Sequence, residues 1–277
     1  MTSRQPSAAP FAASLIIPLF NKVAYTAECL TSIAEHTDPA LYEVVLVDNG
    51  STDATGDLLD QLGGDVRTVR NPTNLGFARG CNQGAEAASG RHLVFCNNDV
   101  EARPGWLEPL LTILDDEPDV AIVGARLLFP DGTVQHGGVR TVLMADGGLL
   151  ATHHPYGVPP VRETRRDLDA VTGALMAVRR EFFESVGGFS TGYWNGMEDI
   201  DLCLTARSRG LRVVYEPRST LVHHESKSGP ERFAATDENE ALFVQRWGDR
   251  YVPEFLADAQ MNARPNPARR DGAFTTT

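Results

Sequence analysis

What the chain has little of narrows its class quickly. Among its 277 residues are only four cysteines, Cys29, Cys81, Cys96 and Cys203, far apart and with no C-x-x-C pair. That spacing suits neither a zinc cluster nor a disulfide-dense scaffold; each thiol lies in an apolar pattern, as buried free cysteines of a reducing compartment do. Basic residues are also scarce: 25 Lys and Arg stand against 37 Asp and Glu, a net charge of −12. So acidic a chain has no broad cationic footprint for nucleic acid, and a polyanion must be handled locally, by a metal ion or a few placed arginines. No apolar run approaches the roughly 18 residues of a membrane span. Ala8–Phe20 has the apolar character of a signal sequence, but Pro18 and the polar Asn21-Lys22 follow with no small-residue cleavage site, so a cytoplasmic location is expected. No G-x-G-x-x-G follows the first apolar run, and there is no Walker loop, which removes the glycine cradles of dehydrogenases and P-loop enzymes.

What is present is an ordinary globular balance, 42% apolar and 22% charged, which excludes a disordered or membrane-embedded chain. Residues 1–13 are rich in Ser, Ala and Pro and are expected to be disordered, as is a flexible tail over 262–277. Between them, short apolar runs alternate with helical patterns. Ser14–Leu19, Glu43–Val47, Val66–Arg70, His92–Cys96 and Val120–Phe129 read as strands. Thr26–Glu35, Asp53–Leu62 (capped by Ser51 or Thr52), the Phe77, Cys81, Ala85, Ala88 stripe and Trp106–Asp116 read as helices. This alternation predicts an α/β fold with a doubly wound, mostly parallel sheet. The second half is more elaborate. Residues 137–167 read as a long loop, Leu168–Arg179 as a strand interrupted at Gly173, and Arg212–Tyr215 and Ser219–His223 as short strands. Asp199–Arg209 reads as a helix closed by Gly210, and Ala234–Trp247 as a final helix.

In doubly wound sheets ligands bind beyond the carboxyl ends of the strands. Here those ends carry Pro18-Leu19-Phe20-Asn21, Asp48-Asn49-Gly50-Ser51-Thr52-Asp53, the Asn71–Asn82 segment with Asn74, Gly76 and Arg79, and Asn97-Asn98-Asp99. Each Asn or Asp alone would be an ordinary turn or cap residue; their recurrence at successive strand ends points to a binding edge.

Together with Glu198-Asp199-Ile200-Asp201-Leu202, and in this order, these segments resemble family 2 glycosyltransferases of the GT-A fold, in particular the branch with bacterial rhamnosyltransferases. The resemblance runs over roughly residues 14–250. It implies one GT-A domain over 14–261, with a nucleotide-binding half at 14–130 and an acceptor and catalytic half at 131–261. The implied activity is an inverting sugar transfer from a nucleotide diphosphate donor, dTDP-rhamnose or a UDP-sugar, assisted by Mg²⁺ or Mn²⁺. The acceptor would be a glycan, a lipid-linked glycan or a small molecule.

By the resemblance, Asp99 meets the metal, because a hard cation takes carboxylate and phosphate oxygens. The family motif is often Asp-x-Asp, but its first position is Asn97 here, which is left to the ribose or to a metal-bound water. His223 completes the metal site, with His224 a neighbour of the diphosphate. Asp48 is the acceptor for a pyrimidine ring N–H, a role that a pure acceptor fits. Pro18 and Phe20 wall the base, although Phe20 suits core packing equally well. Asn21, Asn74, Gly76 and Asn98 join the nucleotide site, and Arg79 either faces the diphosphate or is solvated. Asp199 is the general base, one carboxylate sufficing to take the acceptor proton, while Glu198 orients it or the acceptor. Gly173, Tyr193 and Trp194 line the acceptor side or serve as packing. The rivals are a sugar-phosphate nucleotidyltransferase, whose Gly-rich Arg/Lys signature is lacking near the first strand, and a non-catalytic nucleotide-sugar-binding protein. The His153-His154 pair carries no functional expectation.

Overall fold

Parallel strands buried on both faces read as unbroken apolar runs, since successive side chains feed opposite layers. The first strand, β1 (Ala13–Leu19), does so: Ile16 joins one core layer and Leu15 and Ile17 the other. The computed structural model describes residues 10–63, 66–143, 149–152, 164–224, 234–258, 263–271 and 273–275. Helix α1 (Val23–His36) leads to β2 (Tyr42–Asp48), α2 (Thr55–Gln61) to β3 (Val66–Arg70), and α3 (Phe77–Ala87) to β4 (His92–Cys96). β1 pairs in parallel with β2 and with β4, and β2 with β3, giving the parallel sheet that the alternation predicts. After β5 (Val100–Ala102) and α4 (Glu108–Asp116), β6 (Val120–Leu128) and β7 (Val134–His136) form an antiparallel pair.

The C-terminal half adds β8 (Arg140–Leu143), β9 (Leu149–Thr152), β10 (Arg166–Leu168), β11 (Leu175–Arg179), α5 (Arg180–Val186), α6 (Glu198–Ser208), β12 (Arg212–His223), α7 (Thr236–Trp247), β13 (Phe255–Ala257) and β14 (Ala263–Pro265). The main sheet runs β10-β12-β6-β11-β4-β1-β2-β3. β11 is antiparallel to both β4 and β6, while β12 is parallel to β6. Two reversals restore direction, so β6 and β12 run with β1 and β4. The start of β11 and the end of β12 therefore reach the same edge of the sheet as the carboxyl ends of β1, β2 and β4.

Several expectations are corrected. Among the described residues, the stretch 137–167 holds β8, β9 and the start of β10 instead of one loop, and β8 pairs with β9 and with the distant β13. Strands of three or four residues paired across such separations leave no period to read. Leu168–Arg179 is two strands, not one: residues 169–174 leave the ladder and pair only through the Val139–Ala170 bridge. Conversely, Arg212–His223 is a single strand whose register shifts between Glu216 and Thr220; Pro217, which has no N–H to donate, sits in that irregularity. Neither Ser51 nor Thr52 caps α2. Asp53 does so in part, its Oδ1 accepting from the Thr55 N–H at 3.0 Å. Trp106 lies before α4, buried, with its indole N–H on Thr37 Oγ1 at 2.8 Å.

The expected tail over 262–277 includes β14, which pairs with β13, and a 3₁₀ turn over Pro267–Asp271. Phe274 packs against Trp247 and Tyr251, and Arg269 pairs with the buried Asp169 at 2.5 Å. An aromatic anchor and a buried ion pair hold this segment, neither of which has a periodic signature. Of the N-terminus expected to be disordered, Ala13 belongs to β1, and Phe11 O and Ala12 O accept from the Arg91 and His92 N–H groups; residues 1–9 and the His153-His154 pair lie outside the described residues. All four cysteines are free and buried, as expected. Among the described residues, no helix is long and apolar enough to cross a membrane.

Candidate active site

The carboxyl edge is tied together by its own backbone. The Asn49 N–H donates to Leu19 O at 2.8 Å and the Asn71 N–H to Asp48 O at 2.8 Å, which aligns the ends of β1, β2 and β3. Asp48 is buried, and its Oδ1 accepts from the Ser51 N–H at 2.9 Å. Asn21 adopts a left-handed φ of 58°, a conformation that Asn tolerates. Its Oδ1 accepts from the Thr52 and Asp53 N–H groups at 2.7 and 3.3 Å, so it shapes the loop after β2. Pro18 and Phe20 are partly exposed at the end of β1. Asn74 Oδ1 accepts from the Gly76 N–H at 2.9 Å, and Arg79 is exposed in the first turn of α3. Asn98 is turned toward α1, donating to Thr26 Oγ1 at 2.9 Å.

At the end of β4 three predicted residues converge. His223 Nε2 lies 3.1 Å from Asp99 Oδ1 and 3.3 Å from Asn97 Nδ2. Asp99 and His223 are 6% and 7% exposed, so this is a buried pair. The other ring nitrogen of His223, Nδ1, faces Gln135 Oε1 at 2.6 Å, and Gln135 Nε2 donates back to His223 O at 3.1 Å. An amide oxygen only accepts, so Nδ1 is the donor to Gln135 and Nε2 is the ring nitrogen that faces Asp99 and Asn97, able to donate to the carboxylate when it carries a proton and to ligate a cation when it does not. Burial alone would raise the Asp99 carboxyl, yet the hydrogen bond and charge of His223 hold it below the ordinary aspartate range. An imidazole nitrogen beside a carboxylate oxygen could hold a divalent cation. Ligands at about 2.1 Å in an octahedron stand about 3 Å apart, close to the separation seen here. Gln135 was invisible to sequence reasoning, since β7 is three residues long and precedes the unpatterned stretch.

His224 faces away from this pair. Its backbone N–H donates to Asp99 O at 2.9 Å, and its ring Nε2 meets Glu101 Oε1 at 2.6 Å. Glu28, Glu101 and His224 bring one ligand atom each within 4.8 Å of one another, a second group of metal-competent donors in which His224 already has a carboxylate partner.

The acid-rich start of α6 holds the proposed base. Asp199 Oδ2 accepts from the Gly173 N–H at 2.7 Å and Oδ1 from the Ile200 N–H at 2.8 Å. Burial pushes the Asp199 carboxyl above the usual aspartate value, and the Gly173 and Ile200 amides pull it partly back. A side chain on Gly173 would be crowded there: a Cβ would stand 3.1 Å from Asp199 Cβ and 3.3 Å from the Phe77 ring. The turn before β11 connects this carboxylate to the Asp99 edge, because the Asn97 N–H donates to Ala174 O at 2.9 Å. Glu198 Oε2 accepts from the Gly196 N–H at 2.7 Å, so Glu198 braces the loop before α6. Asp201 points elsewhere, as an i, i+2 neighbour must: it is buried and accepts from Trp247 Nε1 at 2.8 Å and the Tyr193 hydroxyl at 3.2 Å. Tyr193 is therefore a packing residue, whereas Trp194 is partly exposed with its ring against Gly76.

The glycosyl transferase family 2 model matches residues 14–187, and one described as the N-terminal domain of galactosyltransferase matches residues 159–225. The chain is 37% identical over 227 residues to the O-antigen biosynthesis protein RfbC of Myxococcus xanthus, covering 78% of this chain but 17% of that protein. It is 29% identical over 206 residues to the N-acetylglucosaminyl-diphospho-decaprenol L-rhamnosyltransferase of Mycobacterium tuberculosis H37Rv, covering 67% of each. Among solved structures, GalNAc-T7 with UDP, GalNAc and Mn²⁺ is similar at a TM-score of 0.67 and 19% identity, over 86% of this chain and 48% of that one. The mannosyltransferase PcManGT from Pyrobaculum calidifontis, in complex with GDP-Man and Mn²⁺, gives 0.59 and 18%, over 97% of this chain and 71% of that one. At these identities the structural likeness establishes the GT-A fold.

Proposed function

The chain belongs to glycosyl transferase family 2, and from that premise we propose that it transfers a sugar from a dTDP- or UDP-linked donor to an acceptor hydroxyl, inverting the anomeric centre. The observation that carries the reading is the buried Asp99–His223 pair, with the His223 ring held by Gln135 so that Nε2 faces Asp99. These residues fit a divalent cation, Mg²⁺ or Mn²⁺, and the imidazole ligand favours Mn²⁺. A cation held there would neutralise the charge that grows on the departing nucleotide diphosphate.

The protein's own groups do the rest. Asp48, a buried carboxylate with acceptor capacity beyond its bond from Ser51, takes the pyrimidine ring N–H. Pro18 and Phe20 flank the base, Asn97 and Asn98 border the ribose and diphosphate, and Asn74, Gly76 and Arg79 line the loop that approaches the diphosphate. Asp199, its carboxyl raised by burial and its orientation fixed by two backbone amides, removes the acceptor proton as the oxygen attacks. Gly173 gives the acceptor room beside that carboxylate, and Trp194 offers an aromatic face suited to a sugar ring. The donor half thus occupies 14–130 and the acceptor half 131–261. The names of the similar bacterial proteins, O-antigen biosynthesis and a lipid-linked rhamnosyl transfer, favour a polysaccharide precursor as acceptor. Four buried free thiols suit a reducing cytoplasm.

The test is nucleotide diphosphate release from dTDP-rhamnose and from UDP-hexoses, with Mn²⁺, Mg²⁺ or EDTA, and product configuration read by NMR. The reading expects metal-stimulated turnover of a pyrimidine donor with an inverted product. Metal-independent turnover, or a retained configuration, would contradict it.

A further inference from the structure

The segment just before α6 has contacts that none of the roles above uses. The Asn195 carboxamide oxygen accepts from the Phe77 N–H at 2.8 Å, across 118 residues of sequence, and so caps the first turn of α3. The position is left-handed, with φ at +50°, a conformation that Asn holds more readily than most residues. One residue earlier, a Cβ on Gly76 would meet the Trp194 ring at 3.1 Å, so this indole lies directly on the backbone of the donor loop. From the other side, Asn239 of α7 is buried and grips the main chain of Trp194 twice. The Trp194 N–H donates to Asn239 Oδ1 at 2.9 Å, and Asn239 Nδ2 donates to Trp194 O at 2.8 Å. One side-chain amide thus pairs with both backbone groups of a single residue, as a neighbouring strand would. Met197, also left-handed at φ +72°, closes the loop before α6 begins.

We infer that Asn195 and Asn239 are positioning residues that join the Trp194 loop to the Asn74–Phe77 loop as one unit, so that a nucleoside diphosphate bound against the second sets the acceptor face formed by the first. This rests on the donor reading above. Asn195 and the Trp194 ring link these two loops, and Asn239 fixes the far end of the lever. A ligand that shifts the start of α3 must move Trp194 or strain the Asn195 bond, so affinity and loop position are linked.

Trp194 reports on itself. Trp106 and Trp247 are fully buried, so acrylamide quenching of tryptophan emission reads mainly Trp194, with Trp194→Phe as the assignment control. dTDP and UDP with MnCl₂ are the probes, and calorimetry measures their affinity in parallel. In the wild type, saturating nucleotide is expected to change the quenching constant by about 1.5-fold or more. Asn195→Gly, which keeps the left-handed backbone but removes the carboxamide, should bind nucleotide within about threefold of wild type and lose that response. Asn195→Asp, which retains an acceptor for the Phe77 N–H, should keep it, an outcome that a generally loosened fold would not give. Asn239→Leu should raise quenching before any nucleotide is added. Nucleotide binding with an unresponsive Trp194, or an unchanged response in Asn195→Gly, would overturn the coupling while leaving the donor reading intact. Failure of both nucleotides to bind would overturn the donor reading and the coupling with it, leaving the Asn239→Leu result to decide the clamp by itself.

Discussion

The Gly173 N–H donates to Asp199 Oδ2 at 2.7 Å, binding the first turn of α6 to the turn that leads into β11. Space for a side chain at residue 173 is tight, and a methyl would press on Asp199 and Phe77 together. Gly173→Ala is therefore expected to displace the carboxylate and lower transfer by about tenfold or more, since small misplacements of a reacting group are costly. Overpacking should also cost about 1–3 kcal/mol of stability. Initial rates and urea melts of the variant test this; a wild-type rate would mean that residue 173 does not abut the reacting centre.

Burial raises the Asp199 carboxyl, and the sign of its pH effects follows. As base, Asp199 works only when ionised, so kcat/KM should fall as pH drops through a value above the ordinary aspartate pKa of about 3.9. For stability the sign reverses. A folded-state pKa raised above the unfolded one means that the native state holds the proton more tightly, and this contribution is lost as pH rises through the raised value. A pH–rate profile at saturating metal checks the first statement. An acid limb at or below the ordinary carboxylate value would remove Asp199 as the base.

The two histidines after β12 make different contacts and should behave differently. His223 Nε2 stands beside Asp99, whereas His224 pairs with Glu101. Asp99→Ala and His223→Ala should each abolish the enhancement of dTDP or UDP binding by Mn²⁺, while His224→Ala retains most of it. Calorimetric titration with and without Mn²⁺ decides. Loss of the metal effect in His224→Ala alone would move the cation to the Glu28, Glu101 and His224 group.

Asp48→Ala should weaken pyrimidine nucleotide binding by about 1–3 kcal/mol and leave the metal dependence in place, because a base N–H loses a charged acceptor. The same variant also frees the Ser51 N–H, so its melting temperature should be recorded beside its affinity. Equal binding of purine and pyrimidine diphosphates by the wild type would contradict base reading at Asp48.

The first half was legible because β1, β2 and β4 are parallel and buried on both faces, so apolar runs such as Leu15-Ile16-Ile17 and Val44–Val47 mark them directly. Asp99, His223 and Asp199 stood out for a different reason: motif order singled them out, and the fold places the first two together. The hidden parts depend on contacts distant in sequence. Gln135 reaches His223 across 88 residues, and Asn239 reaches Trp194 across 45; a lone amide side chain carries no period or spacing that announces such a partner. The strands β8, β13 and β14 are equally silent, being short and paired across more than a hundred residues or by one brief hairpin. For Tyr193 the sequence left acceptor lining and packing both open. Adjacent to Trp194 in sequence, it turns inward to Asp201, which neighbouring position could not reveal.

The central claim is that Asp199 removes the acceptor proton, and Asp199→Asn tests it most directly. Both carboxylate oxygens accept backbone hydrogen bonds, and asparagine supplies only one acceptor oxygen, so a stability loss of about 1–3 kcal/mol is expected. Glu198→Gln is the matched control, because a glutamine oxygen can still accept from the Gly196 N–H. The measurement is the initial rate of nucleotide diphosphate release with a productive acceptor, with donor affinity determined for each folded variant. Asp199→Asn should lose about 10²–10⁴ in rate at unchanged donor affinity, the pattern of an interaction used in the transition state. Glu198→Gln should lose far less. Near-wild-type turnover in Asp199→Asn, or a dead Glu198→Gln beside an active Asp199→Asn, would contradict the account.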